Sequence, residues 1–165
     1  MKIDYPVDLS SIDSVFSMVK DSNGVKVICN EKIDFGTSTA TIKGAIISDQ
    51  NYQTVQVGHE MHIMNKILAS MNHHCDPNIY IDTKIMIITA VKNINPGDEI
   101  TFFYPTTEWV MRVPFECRCG AKSCYGYISG AKDFVRKHPN IIIPYNWHIA
   151  ELISLNEKLY MDGVN

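Results

Sequence analysis

Apolar and polar residues alternate in short runs along most of this chain, which is the signature of brief, half-buried strands. "GVKVIC" at 24–29 alternates and carries valine, and "ATIKGAIIS" at 40–48 and "YQTVQV" at 52–57 read the same way. "KIMIITAVKNI" at 84–94 is apolar enough for a buried strand. The turn "NPGD" at 95–98 separates it from a further strand, "EITFFY" at 99–104. Helical spacing enters at "GHEMHIMNKILAS", 58–70, where Met61, Met64, Ile67 and Leu68 would share a face. Two more helices are predicted near the carboxy end. "GAKDFVRKHPN" stops before Pro139, and "YNWHIAELISLNEKLY" has Asn146 at the cap position. Short strands with a few helices make an α+β, β-rich fold.

Composition adds exclusions. A length of 165 residues suits one domain with a small appendage. The net charge of −3 gives no basic excess, so no strong nucleic-acid binding is expected. The amino-terminal "MKIDYPVDLSSID" lacks the basic-then-apolar run of a secretory signal, and no apolar stretch reaches a membrane span. The expected location is intracellular, cytoplasmic or nuclear, with no membrane partner. Disulfides are rare there, and five cysteines is an odd number.

Three of those five stand together in "FECRCGAKSCYG" as Cys117, Cys119 and Cys124. That spacing suits thiolates wrapped around a tetrahedral Zn²⁺, which takes four protein ligands when its role is structural. Cys29 lies mid-strand, where cysteine acts as a small hydrophobe. The fourth ligand is sought in the polar loop "MNHHCDPNIY", where Cys75 is preferred and His74 competes.

Three segments, "NHHCDPN" at 72–78, "GDEITFFY" at 97–104 and "CRCGAKSCYGYISG" at 117–130, resemble in order the marks of SET-domain lysine methyltransferases with a post-SET zinc module. The resemblance implies a SET-domain β-fold with a carboxy-terminal pseudoknot. It selects Cys75 as the fourth ligand of one structural zinc. It also implies S-adenosylmethionine as cofactor, held by Asn72 and His73, with Tyr104 at the junction of cofactor and lysine sites. Phe115 or Arg118 of the cysteine lobe would cover the cofactor, because shared zinc ligation ties that lobe to the loop.

The chain departs from the family pattern in three places. No second glycine stands two residues from Gly24, which leaves Asn23 and Gly24 to approach the cofactor. Ala69, Ser70 and Met71 replace the arginine and aromatic that usually precede Asn72. Phe103 replaces a frequent aspartate, and either packs as core or lines the channel. The implied domains are residues 1–112 (SET), 113–130 (zinc module) and 131–165 (helical extension). The implied partner is a protein lysine; a zinc scaffold without catalysis and a small-molecule methyltransferase are the alternatives.

Overall fold

The computed structural model describes residues 9–22 and 24–162, excepting the side chains from 158 onward. A single helical turn, α1 (Ile12–Val15), leads into an antiparallel hairpin of β1 (Phe16–Asp21) and β2 (Gly24–Cys29). Its register runs from Phe16 opposite Cys29 to Asp21 opposite Gly24. Next come β3 (Ser38–Thr41), β4 (Ala45–Ile47), β5 (Thr54–Gln56) and β6 (His62–Met64). β6 lies between β4 and β5 in an antiparallel sheet. The helix expected over 58–70 is therefore half strand. Ile63 and His62 are buried between two neighbouring strands, while Met61 and Met64 face solvent. Asn65 then caps a short α2 (Lys66–Ala69), its side chain accepting from the Leu68 N–H.

Beyond α2, β7 (Asn72–His73), β8 (Ile79–Asp82) and β9 (Ile87–Ala90) follow. β9 pairs with both β3 and β8, so this sheet packs Ile79, Ile81 and Ile88 into the main core. Each such isoleucine contributes about 1.5–3 kcal/mol by leaving water. The turn at 95–98 forms as expected. Gly97 adopts φ +87, and the Asp98 N–H bonds the Asn95 carbonyl at 3.0 Å.

β10 (Thr101–Phe102) is shorter than the expected strand. Pro105 cannot extend a ladder, and Tyr104–Thr106 turn into a 3₁₀ helix. β10 runs parallel to β7, placing Thr101 beside Asn72 and Phe102 beside His73. This pairing joins two motifs separated by about 25 residues of sequence and builds the site.

The cysteine lobe contains a two-stranded ladder of β11 (Phe115–Glu116) and β12 (Tyr127–Ile128). A second small core of Phe103, Ile128 and Phe134 lies beneath it. Gly130 is required where this lobe turns into α3 (Ala131–Lys137): its φ is +107, and a Cβ there would stand 2.6 Å from the Trp109 carbonyl oxygen. α3 ends before Pro139 as predicted. α4 (Trp147–Asp162) packs on the body. Asn146 precedes α4, and its carbonyl accepts from Ala150, but its side chain does not cap the helix. Instead it accepts from the Thr83 N–H and donates to the carbonyls of Ile81 and Thr106, pinning the helix to the sheet. No helix among the described residues is long and apolar enough to cross a membrane.

Candidate functional site

The four cysteines Cys75, Cys117, Cys119 and Cys124 converge, with all sulfurs within 4.8 Å of one another. Cys75 lies 3.8 Å from Cys117 and 3.9 Å from Cys124. Sulfurs bound to Zn²⁺ at about 2.3 Å in a tetrahedron stand about 3.8 Å apart, so the donor set fits one zinc ion. Burial pushes the Cys75 thiol well above its ordinary range and Cys117 up to about 11. A divalent cation supplies the charge that lets such buried thiols ionise. The Tyr125 N–H points at the Cys75 sulfur, at 3.5 Å. His74 is not part of the cluster; its Nδ1 is engaged with the Asp76 backbone in the exposed loop. Cys29 is buried, its thiol donating to the Glu31 carbonyl, and takes no part.

His73 links the metal centre to the neighbouring cavity. Its Nδ1 accepts from the Tyr104 N–H at 3.3 Å, which leaves Nε2–H directed at the Cys75 sulfur, also 3.3 Å away. Burial, with His74 nearby, lowers His73 to about 4, so the ring is neutral. Phe115 and Tyr104 stand edge-on to His73, with centroids 5.6 and 5.2 Å from it.

The cavity has a volume of about 760 Å³, the size of a small-molecule site. Asn72, His73, Tyr104, Phe115 and Arg118 all line it, so five of the seven residues expected at the cofactor and lysine sites come together from three segments, beside the metal ligands Cys117 and Cys119. The Asn72 side chain donates to Glu99 at 2.8 Å and, at 3.4 Å, to the Val25 carbonyl, which anchors it to β2. Arg118 is exposed and pairs with Glu116 at 3.6 Å. Gly24 begins β2 with φ +126 and does not line the cavity, and Asn23 lies outside the described residues.

The Tyr104 hydroxyl donates to the Met71 carbonyl at 2.8 Å. Its phenol is held above the usual range by burial and by the nearby Glu108 and Glu99 carboxylates, so it stays protonated. Phe102 and Tyr104 share the cavity side, their rings 4.8 Å apart. Phe103 points the other way into the second core, against Tyr125 and Phe134, and is packing rather than channel lining.

Sequence reasoning missed another group of lining residues. Gln50 donates to the Val110 carbonyl at 2.8 Å and reaches Glu108 at 3.4 Å, while Arg112 donates to the Gln50 carbonyl at 2.9 Å. Nothing local marks these residues. They meet only because the 50–54 loop folds over the segment that follows Tyr104.

Comparison with known proteins identifies the family. The SET domain family model matches residues 14–105, more than half of the chain. The methyltransferase flvH of Aspergillus flavus is 34% identical over 110 residues, covering 64% of this chain and 60% of that protein. The histone-lysine N-methyltransferase mes-4 of Caenorhabditis elegans is 35% identical over 77 residues, 38% of this chain and 8% of that protein. The chain thus spans less than two thirds of the length of either relative. Among solved structures, the methyltransferase domain of the human histone-lysine N-methyltransferase SETMAR shares the fold, with a TM-score of 0.52 and 22% identity over 70% of this chain and 58% of that one. So does KRYPTONITE in complex with mCHG DNA and SAH, with a TM-score of 0.56 and 21% identity over 68% of this chain and 28% of that one. By its matched sequence and its fold, the chain belongs to the SET-domain family.

Proposed function

We propose that the protein is an S-adenosylmethionine-dependent methyltransferase acting on the side-chain amine of a protein lysine. The observation that carries this reading is the convergence of Asn72, His73, Tyr104, Phe115 and Arg118 on one cavity beside a four-thiol cluster. The resemblance to mes-4 and SETMAR, both histone-lysine N-methyltransferases, and the SAH held by KRYPTONITE support it. The division into residues 1–112, 113–130 and 131–165 belongs to the same proposal.

The residues present fit the cofactor. Asn72 and His73 would hold it, and Phe115 and Arg118 would cover it. When bound, it supplies a methyl carbon made electrophilic by an adjacent sulfonium. Cys75, Cys117, Cys119 and Cys124 would hold the structural zinc, tying Phe115 and Arg118 to the loop that carries His73.

Tyr104 then acts as an acceptor. Its O–H is already committed to the Met71 carbonyl, so the oxygen's lone pairs are what it offers to a neighbour. Those lone pairs can orient the N–H of an incoming amine and take weak C–H···O contacts from a methyl group. A lysine ammonium, with an ordinary pKa near 10.4, must lose a proton before attack, and a desolvated aromatic cavity favours the neutral form. What the protein supplies is alignment of amine and methyl.

Titration calorimetry with S-adenosylmethionine tests the first half of the reading, and transfer of a labelled methyl group to lysine peptides and to small amines tests the second. A folded, zinc-loaded protein that binds no cofactor would instead be a scaffold. Transfer confined to small amines would replace the protein substrate.

A further inference from the structure

Glu108 is the single carboxylate among the described residues that line the cavity, and only 7% of it is exposed. It follows Tyr104 by one turn, its N–H bonded to the Tyr104 carbonyl at 2.9 Å. Its two carboxylate oxygens are treated differently. Oε1 accepts from the Gln56 N–H at 2.8 Å and from the Thr107 hydroxyl at 3.3 Å. Among the described residues Oε2 has only the Gln50 amide at 3.4 Å, a long contact from a group whose better bond goes to the Val110 carbonyl.

No cation among the described residues lies within ion-pair distance of Glu108. Arg112 lines the same cavity, yet its guanidinium is bonded to the Gln50 carbonyl. A carboxylate taken out of water without a counter-charge is costly, and one that lines a cleft is a candidate for binding a ligand. The lining includes the apolar and aromatic Leu68, Met71, Phe102 and Tyr104, and also Arg112 and Arg118, whose guanidiniums are engaged by the Gln50 carbonyl and by Glu116. An anion in an aromatic-walled pocket is complementary to a cation on a hydrocarbon stem.

We propose that Glu108 recognises the cationic head of the acceptor, its Oε2 receiving an alkylammonium nitrogen whose methylene stem lies against the cavity wall. This rests on the reading of the cavity as the site of an amine acceptor. A peptide lysine and a free alkylamine share the required chemistry. Glu108 would thus select for amines over neutral nucleophiles of the same shape, and the bound ammonium would give one proton to Oε2, leaving the neutral amine to attack beside Tyr104.

The test is a calorimetric titration of the zinc-loaded full chain at pH 8, with and without S-adenosylhomocysteine. Three probes are compared: n-butylammonium, n-butanol, and Nα-acetyl-lysine methylamide. The charged butyl probe should bind at least about tenfold more tightly than the alcohol, as expected of a buried charge pair. Glu108→Gln should erase that preference and leave S-adenosylhomocysteine affinity unchanged. Tighter binding of the lysine derivative than of butylammonium would identify the peptide source, and the reverse order a free amine. Equal binding of charged and neutral probes by the wild type would overturn the proposal, as would a preference that survives in Glu108→Gln or no amine binding at all. The wild-type comparison needs no variant, so it stands even if Glu108→Gln fails to fold. Absence of S-adenosylhomocysteine binding would defeat the methyltransferase reading separately, because the probe preference is also measured without it.

Discussion

Replacing Glu108 with glutamine should stabilise the protein at alkaline pH, by an amount that follows from its burial. Burial pushes the carboxyl up from 4.5 to about 7, only partly opposed by hydrogen bonds from Gln56, Gln50 and Thr107. A shift of that size corresponds to about 3 kcal/mol. Between the ordinary carboxylate range and about 7, the folded protein keeps a proton that the unfolded chain has released. Stability therefore falls as pH rises through this window, and the loss is complete above it. Glutamine keeps the shape and removes the charge, so it removes that loss. It also presents an amide where Gln50 found an acceptor, which costs about 1 kcal/mol. The net expectation is a gain of about 2 kcal/mol at pH 8, or about 4–8 °C in Tm for a chain of this length, shrinking toward zero near pH 5. Urea unfolding of both proteins across pH 5–8.5 measures this, and every other titrating group is common to the two and cancels. A difference that stays flat with pH, or a variant less stable at pH 8, would refute the claim that Glu108 is buried without a counter-charge.

Tyr104→Phe should cut the methyl-transfer rate by about 10²–10³, the usual effect of losing one positioned polar contact, while cofactor affinity stays near wild type. It should also cost about 1 kcal/mol of stability in a melt, since the Met71 carbonyl loses its donor; an unchanged transfer rate would reduce Tyr104 to packing. Cys75→Ser should lose zinc by elemental analysis and unfold the cysteine lobe, because site formation and folding are coupled; full retention of metal would exclude Cys75 as a ligand. Chelating zinc from the wild type should weaken S-adenosylmethionine binding in calorimetry, since Phe115 and Arg118 are carried by the metal lobe. Gly130→Ala should destabilise the fold by more than about 1 kcal/mol in thermal unfolding, because it combines a positive φ with a Cβ 2.6 Å from the Trp109 carbonyl.

Much of this protein was legible in its residues alone, where the chemistry is local or the spacing is tight. The period-two runs located β2 and β5, the apolar run at 84–94 located β9, and Pro-Gly at 96–97 located the turn before β10, whereas the run at 40–48, read as one strand, divides between the end of β3 and β4 in two different sheets. Cysteines two and five positions apart announce a metal-ligand set whatever fold surrounds them. The order of the three motifs then pointed to the fourth cysteine and to Tyr104. Period two sets Phe102 and Tyr104 on one side of the strand and Phe103 on the other, but it does not say which side is the cavity. That depended on the second core around Phe134, which comes from a helix about 30 residues downstream.

Tertiary structure decided whatever required long-range neighbours. Residues 58–70 carry a helical spacing, but β4 and β5 on either side draw His62–Met64 into a sheet, where backbone pairing outweighs local propensity. Asn146 has the identity and position of a cap, yet the donors and acceptors of Thr83, Ile81 and Thr106 are close enough to claim its side chain. Glu108 reads in sequence as one acidic residue beside a tryptophan, and nothing in its neighbours announces burial. Its solvent is removed by β5 and the 50–54 loop, more than fifty positions earlier in the chain. A charge acquires its energy from what surrounds it in space, so only the folded chain turns this glutamate into a binding group.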